Sequence, residues 1–223
     1  MTEQKTQNGV IEVPLKVNQI RKIYDFASYF YSLANIIEGK HHSRALELAR
    51  IQPNDKVLEV AVGLGYTFSK ILKKVDKDNI VHGIDLSPKM LGKTRKLATK
   101  NGFTNFELKE GDTRKLPYPD ETFDILYNSY MLDLIPLADI TVVLKEFYRV
   151  LKNGGKLVLV NFSKKDSSPV FAETLYKLSP AMWFGCRPIL TESYVKETGF
   201  KDVKREVPKF FFSLPSEIVT ATK

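Results

Sequence analysis

Lys56-Val57-Leu58-Glu59-Val60-Ala61-Val62-Gly63-Leu64-Gly65 decides the fold, together with Asp85 twenty positions after its last glycine. Val57–Val60 is a short apolar run interrupted by one carboxylate, the pattern of a buried strand. Two closely spaced glycines follow, then a stretch from Phe68 to Val75 with helical spacing of its apolar residues. Ile80–Ile84 predicts a second strand, closed by Asp85. Strand, glycine turn, helix, strand, acid is the order by which α/β proteins hold an adenosine cofactor. The glycines let backbone approach the ligand, and the acid accepts bonds from ribose hydroxyls.

The residues around the turn narrow the choice of cofactor. A dinucleotide fingerprint places a third small residue where this chain has Phe68, and a phosphate-binding loop needs a Lys-Ser or Lys-Thr pair that does not follow the glycines. Glu59 would repel a phosphate and attract an ammonium group. S-adenosylmethionine has an amine, a sulfonium and no phosphate, so it suits this turn better than NAD.

Four ordered segments carry a family resemblance. Glu59–Gly65 resembles the acid-x-Gly-x-Gly-x-Gly motif of class I S-adenosylmethionine-dependent methyltransferases, with Ala61 at the first glycine. Gly83–Leu91 is similar to the ribose-binding strand end and its helix. Gly111–Tyr118 through Phe123–Leu126 resembles the adenine-binding turn and fourth strand, and Arg149–Leu157 the turn into the fifth strand, with Asn153 in place of the usual proline. The resemblance implies an α/β fold: a Rossmann-like three-layer sandwich, its sheet mostly parallel with a C-terminal antiparallel strand pair. It also implies that Asp85 binds the ribose and that Glu59, Ala61, Gly63 and Gly65 lie beneath the methionine end. Leu86 would cover the adenine, with Asp112 and Thr113 at its amino group and Asn128 at the fourth strand's tip. Ala61 adds one methyl group, tolerable at a negative φ. A binding module without transfer stays open, because Ala61, Val62 and Leu64 are unusual in such a turn.

Composition sets the outer limits. The 223 residues suit one domain, residues 1–223, decorated by a helical lid over about 16–50 and an insert over about 163–190. One cysteine, Cys186, and three histidines offer no convincing metal site, and no metal is expected. No apolar run approaches a membrane span, so the expectation is a cytoplasmic protein. The net charge is +8, and from Thr141 onward fourteen Lys or Arg face eight Asp or Glu. Scattered in this way, the charge serves solubility first and contact with an anionic membrane surface second. No nucleic acid partner is expected, for aromatic and basic residues are not interleaved.

Alternating apolar and helical segments predict strands at Phe106–Lys109, Phe123–Tyr127, Lys156–Phe162, Lys201–Val207 and Glu217–Thr222, and helices at Asn18–Ala34, His42–Ile51, Pro88–Asn101, Leu137–Leu151, Val170–Leu178 and Thr191–Thr198. The opening Tyr24-Asp25-Phe26-Ala27-Ser28-Tyr29-Phe30-Tyr31 resembles two methyltransferase subgroups. One acts on carbon of ubiquinone and menaquinone precursors, the other on nitrogen of phosphatidylethanolamine. In both this helix covers the cofactor, which implies Tyr24 or Tyr31 above it. The quinone enzymes carry an Arg-Asn pair where Asp133 and Leu134 stand here. Tyr130–Pro136 and the Leu178–Pro188 region are closer to the phospholipid enzymes. A small-molecule or lipid acceptor is therefore expected, with a phospholipid head-group amine first and a quinone precursor as the alternative. Tyr31 or Asp133 would take or orient its proton.

Overall fold

A computed structural model describes residues 34–164, 187–208 and 216–223. Helix α1 (Ala34–Ala49) leads into strand β1 (Val57–Val60), and the glycine turn opens α2 (Tyr66–Leu72). Then follow β2 (Val81–Asp85), α3 (Pro88–Lys100), β3 (Phe106–Glu110) and β4 (Phe123–Ser129). A single 3-10 turn at Leu132–Leu134 precedes α4 (Leu137–Val150) and β5 (Leu151–Phe162), and the chain ends with α5 (Thr191–Glu197), β6 (Lys201–Glu206) and β7 (Ser216–Thr222). The helix expected at Asn18–Ala34, apart from Ala34, and the one expected at Val170–Leu178 lie outside the described residues.

The sheet runs β3-β2-β1-β4-β5-β7-β6. β1 pairs in parallel with both β2 and β4, β2 with β3, and β4 with β5. β7 runs antiparallel to β5 and to β6. Every residue of β1 is buried, as expected for a central parallel strand covered on both faces. Alternate side chains feed two cores. Val57 packs with Ala45, Leu46 and Ala49 of α1, Phe68 and Ile71 of α2, and Ala98 of α3. Leu58 and Val60 pack on the opposite face with Ile140, Leu144 and Phe147 of α4 and Val195 of α5. Three layers result, and the strand order reverses between β1 and β4. A crevice opens there at the carboxyl ends of the strands.

Local chemistry sets the boundaries. Ser87 caps α3, its side chain accepting from Met90 N, and Pro88 fills the first helical turn. β5 begins at Leu151, earlier than its apolar run, because Leu151 already pairs with Phe123 across a register shift in β4. The Gly154–Gly155 pair is thus a kink within the strand. Gly154 has a φ of 78°, and a Cβ on Gly155 would stand 2.8 Å from Lys152 O.

Ala61 departs from expectation. Its φ is +60°, in the left-handed region. Ala61 N and Val62 N both donate to Ile84 O, at 2.8 and 3.3 Å, and this pulls the chain over the end of β2. An alanine there costs about 1–2 kcal/mol.

Both edge strands are short and charged. β3 carries Glu107, Lys109 and Glu110; β6 carries Lys201, Asp202, Lys204, Arg205 and Glu206.

Candidate functional site

A cleft of about 1220 Å³, its mouth included, occupies the crevice. The ends of β1 and β2 and the turn between β1 and α2 form one wall. Asp85 organises this wall: one carboxylate oxygen accepts from Gly63 N at 3.0 Å and the other from Ser87 N at 2.9 Å. Thr94 Oγ1 donates to Gly63 O at 2.8 Å, fastening the turn to α3. Gly65, at φ 79°, lies so close to α3 that a Cβ would stand 2.8 Å from the Thr94 backbone. Packing as well as φ thus demands glycine here.

Glu59 faces the same space. It is buried, and its Oε2 has no hydrogen-bond partner among the described residues. Burial first, and the neighbouring Asp85 second, push its carboxyl well above the usual carboxylate range. A bound ammonium would offset both effects, whereas a pyrophosphate would worsen both. Of the residues expected at the cofactor, Glu59, Ala61, Gly63, Gly65, Asp85, Leu86, Asp112 and Thr113 all line the cleft.

Asp112 is already engaged. Arg114 donates to it from Nη2 at 2.6 Å, from Nε at 3.1 Å and from its own backbone N at 2.9 Å. Those bonds hold the Asp112 carboxyl below its usual range. Arg114 Nη1 also reaches Asp139 at 3.1 Å, so its guanidinium bridges two lining carboxylates. An adenine amino group would have to share Asp112 with Arg114.

Two expected residues lie elsewhere. Asn128 is fully buried and absent from the lining; its Nδ2 donates to Val60 O at 2.9 Å, tying β4 to β1. The strand turns its next two residues, Ser129 and Tyr130, to the cleft instead. Asp133 is also fully buried and outside the lining. Its Oδ2 accepts from Phe162 N at 3.3 Å and its carbonyl from Arg187 N at 3.1 Å, so it serves the junction of the 3-10 turn with β5. Tyr24 and Tyr31 lie outside the described residues.

The remaining lining holds residues that sequence reasoning missed: His42 from α1, Tyr66 at the start of α2, and Tyr130, Met131, Leu134 and Ile135 after β4. The apolar character of Tyr130–Pro136 was a usable signal for most of these. His42 had none, since its place depends on how α1 lies across the sheet.

Residues 1–185 match the model of the ubiE/COQ5 methyltransferase family. The chain belongs to that family. It is 34% identical to the ubiquinone/menaquinone biosynthesis C-methyltransferase UbiE of Hydrogenovibrio crunogenus over 164 residues, 70% of this chain and 64% of that one. It is 31% identical to the demethylmenaquinone methyltransferase of Listeria monocytogenes over 154 residues, 67% of this chain and again 64% of the relative. The match therefore spans less than two thirds of the length of these curated relatives. Among solved structures, the [4+2]-cyclase SpnF superposes with a TM-score of 0.75 at 17% identity, covering 96% of this chain and 98% of that one, which is a likeness of fold. S-adenosylmethionine is the cofactor of the ubiE/COQ5 methyltransferases, and the wall built on Glu59, Gly63 and Asp85 fits its ammonium and ribose. When bound, it supplies a methyl group activated by a sulfonium. Both named relatives fall in the quinone subgroup, which favours the alternative acceptor over the phospholipid head group expected first.

Proposed function

We propose that this chain methylates a ring carbon of a quinol precursor, with S-adenosylmethionine as donor. The chemistry of the lining outside the cofactor wall carries this reading. A head-group amine carries a positive charge and would call for an anionic group at the point of transfer. Asp133, the candidate for that work, is turned away into the β5 junction. The lining carboxylates are otherwise committed: Glu59 and Asp85 to the cofactor wall, Asp112 and Asp139 to Arg114. The rest of the lining includes Tyr66, Tyr130, Met131, Leu134 and Ile135, with the His42 imidazole among them, a largely apolar and aromatic surface suited to a flat, weakly polar ring. The names of the two curated relatives point the same way.

The protein's share of the work is alignment and exclusion of water. Ring carbon, methyl and sulfur must lie in line, and a rigid wall on each side supplies that order. Each quinol hydroxyl feeds electron density to the ring, so carbon itself can act as the nucleophile.

The test is direct. The purified chain is incubated with methyl-labelled S-adenosylmethionine and either chemically reduced demethylmenaquinone in micelles or phosphatidylethanolamine vesicles. Label on the quinol ring is expected. Labelled lipid with unlabelled quinol would return the phospholipid reading to first place.

A further inference from the structure

We infer that His42 is a catalytic residue of this transfer, the base that removes the ring proton. The inference rests on the quinol reading given above. Loss of that proton is an obligatory step when a methyl group replaces hydrogen on a ring carbon, and none of the lining carboxylates is placed to take it. Glu59 and Asp85 belong to the cofactor wall, and Asp112 and Asp139 are bonded to Arg114. His42 brings the one imidazole among the described residues of the lining.

Its position follows from the helix. Ala45, Leu46 and Ala49 bury one face of α1 against the sheet, and His42 lies one turn before Leu46 on that face. The ring thereby reaches the carboxyl end of β4. Its Nδ1 stands 3.0 Å from Tyr127 Oη, and Tyr127 is fully buried. Tyr130, in the cleft wall, meets the imidazole edge-on with centroids 5.6 Å apart and planes at 81°. Two tyrosines thus fix both the tilt and the rotation of the ring. A core histidine would be held in a similar way, but His42 also forms part of the cleft surface. The adjacent His41 does not: it is buried and absent from the lining, and burial lowers its basicity.

The role requires the tautomer in which Nδ1–H donates to Tyr127 Oη, which places the basic lone pair on Nε2. The ring carbon's electron pair forms the new carbon–carbon bond as the methyl–sulfur bond breaks, and the sulfur leaves as a neutral thioether. The carbon then bears both hydrogen and methyl. Nε2 takes the proton, and the C–H electron pair returns to the ring and restores its aromaticity. The imidazolium passes the proton to water when the products depart. No oxidant or reductant enters this sequence.

His42→Asn and Tyr127→Phe test it. Asparagine retains a donor near the Nδ1 position but cannot act as the base, and phenylalanine retains packing while removing the orienting phenol. Cofactor affinity, read by calorimetry, should stay within about 3-fold in both. The kcat for reduced demethylmenaquinone should fall at least about 100-fold in His42→Asn, the scale of general-base loss, and about 10-fold in Tyr127→Phe. In the wild-type chain, the unreactive oxidised quinone should shift the His42 Hε1 resonance in NMR. A His42→Asn variant keeping more than about a third of wild-type kcat, or an unmoved resonance, overturns the role of His42 and leaves the quinol reading standing. Label on a different acceptor, with none on quinol, overturns the quinol reading instead. The His42→Asn comparison on that acceptor then decides the role of His42.

Discussion

Glu59 on β1 and Glu217 on β7 are both buried strand carboxylates, and the fold treats them in opposite ways. Glu217 is surrounded by donors: Arg205 Nε at 2.6 Å, Thr191 N at 2.8 Å and Ser163 Oγ at 3.5 Å. Burial raises its carboxyl, and the bonds from Thr191 and Arg205 pull it back. Glu59 has no such company at Oε2, and the charged neighbour that acts on it is another acid, Asp85. A partnered buried acid joins elements; here Glu217 fastens β7 to the start of α5 and to β6. A partnerless one facing a cleft costs stability until a cation arrives. The difference separates a carboxylate that serves the fold from one that serves a ligand.

The largest effect should come from Glu217. Replacing it by Gln strips the Arg205 guanidinium of its counter-charge, which should lower unfolding stability by about 3 kcal/mol in denaturant titration. Cofactor affinity of whatever remains folded should be unchanged. If Glu217→Gln were neutral, the partnered side of the contrast would fail.

Asp85→Ala comes next. It removes the bonds to Gly63 N and Ser87 N as well as the ribose acceptor, and calorimetry should show cofactor binding weakened by about 1–3 kcal/mol.

Glu59→Gln should act with the opposite sign on the two quantities. Cofactor binding should weaken by about 1–2 kcal/mol through loss of the anion. The cofactor-free protein should instead gain stability relative to wild type as pH rises. The folded Glu59 carboxyl holds its proton to higher pH than the unfolded one, so the folded state binds more protons above the unfolded pKa. Its stability therefore falls as pH climbs toward the folded value. Gln abolishes that fall, and parallel melting curves for the two proteins from pH 5 to 8 would refute the account.

Ala61→Gly should have the smallest effect. Relief of the left-handed alanine, partly offset by the greater freedom of an unfolded glycine, should stabilise the protein by about 0.5 kcal/mol. A loss of stability in thermal melting would contradict it.

Much of the cofactor wall was legible because its determinants are local. The Val57–Val60 run, the two glycines and the acid closing β2 sit within thirty residues, and each imposes its own backbone geometry. Asn128 and Asp133 were misread because adjacency to a strand tip does not tell which way a side chain turns. Val60 O claimed Asn128, and Phe162 N claimed Asp133. The bridge from Arg114 to Asp112 and Asp139 escaped because Asp139 is 25 positions away on α4. His42 was the least legible of all: nothing in the spacing of α1 reveals that Tyr127, 85 positions later, meets its ring.

The two outermost strands, β3 and β6, have a bearing on crowding. A parallel sheet ends in rows of unpaired amides that can recruit a strand from a neighbouring molecule. Here one border presents Glu107, Lys109 and Glu110, and the other Lys201, Lys204, Arg205 and Glu206. A second copy approaching either border would have to strip water from several ionised groups before its first amide found a partner. Each border therefore carries its own guard against fibril-like stacking, and replacing Lys109 and Lys204 with valine should raise light scattering on heating.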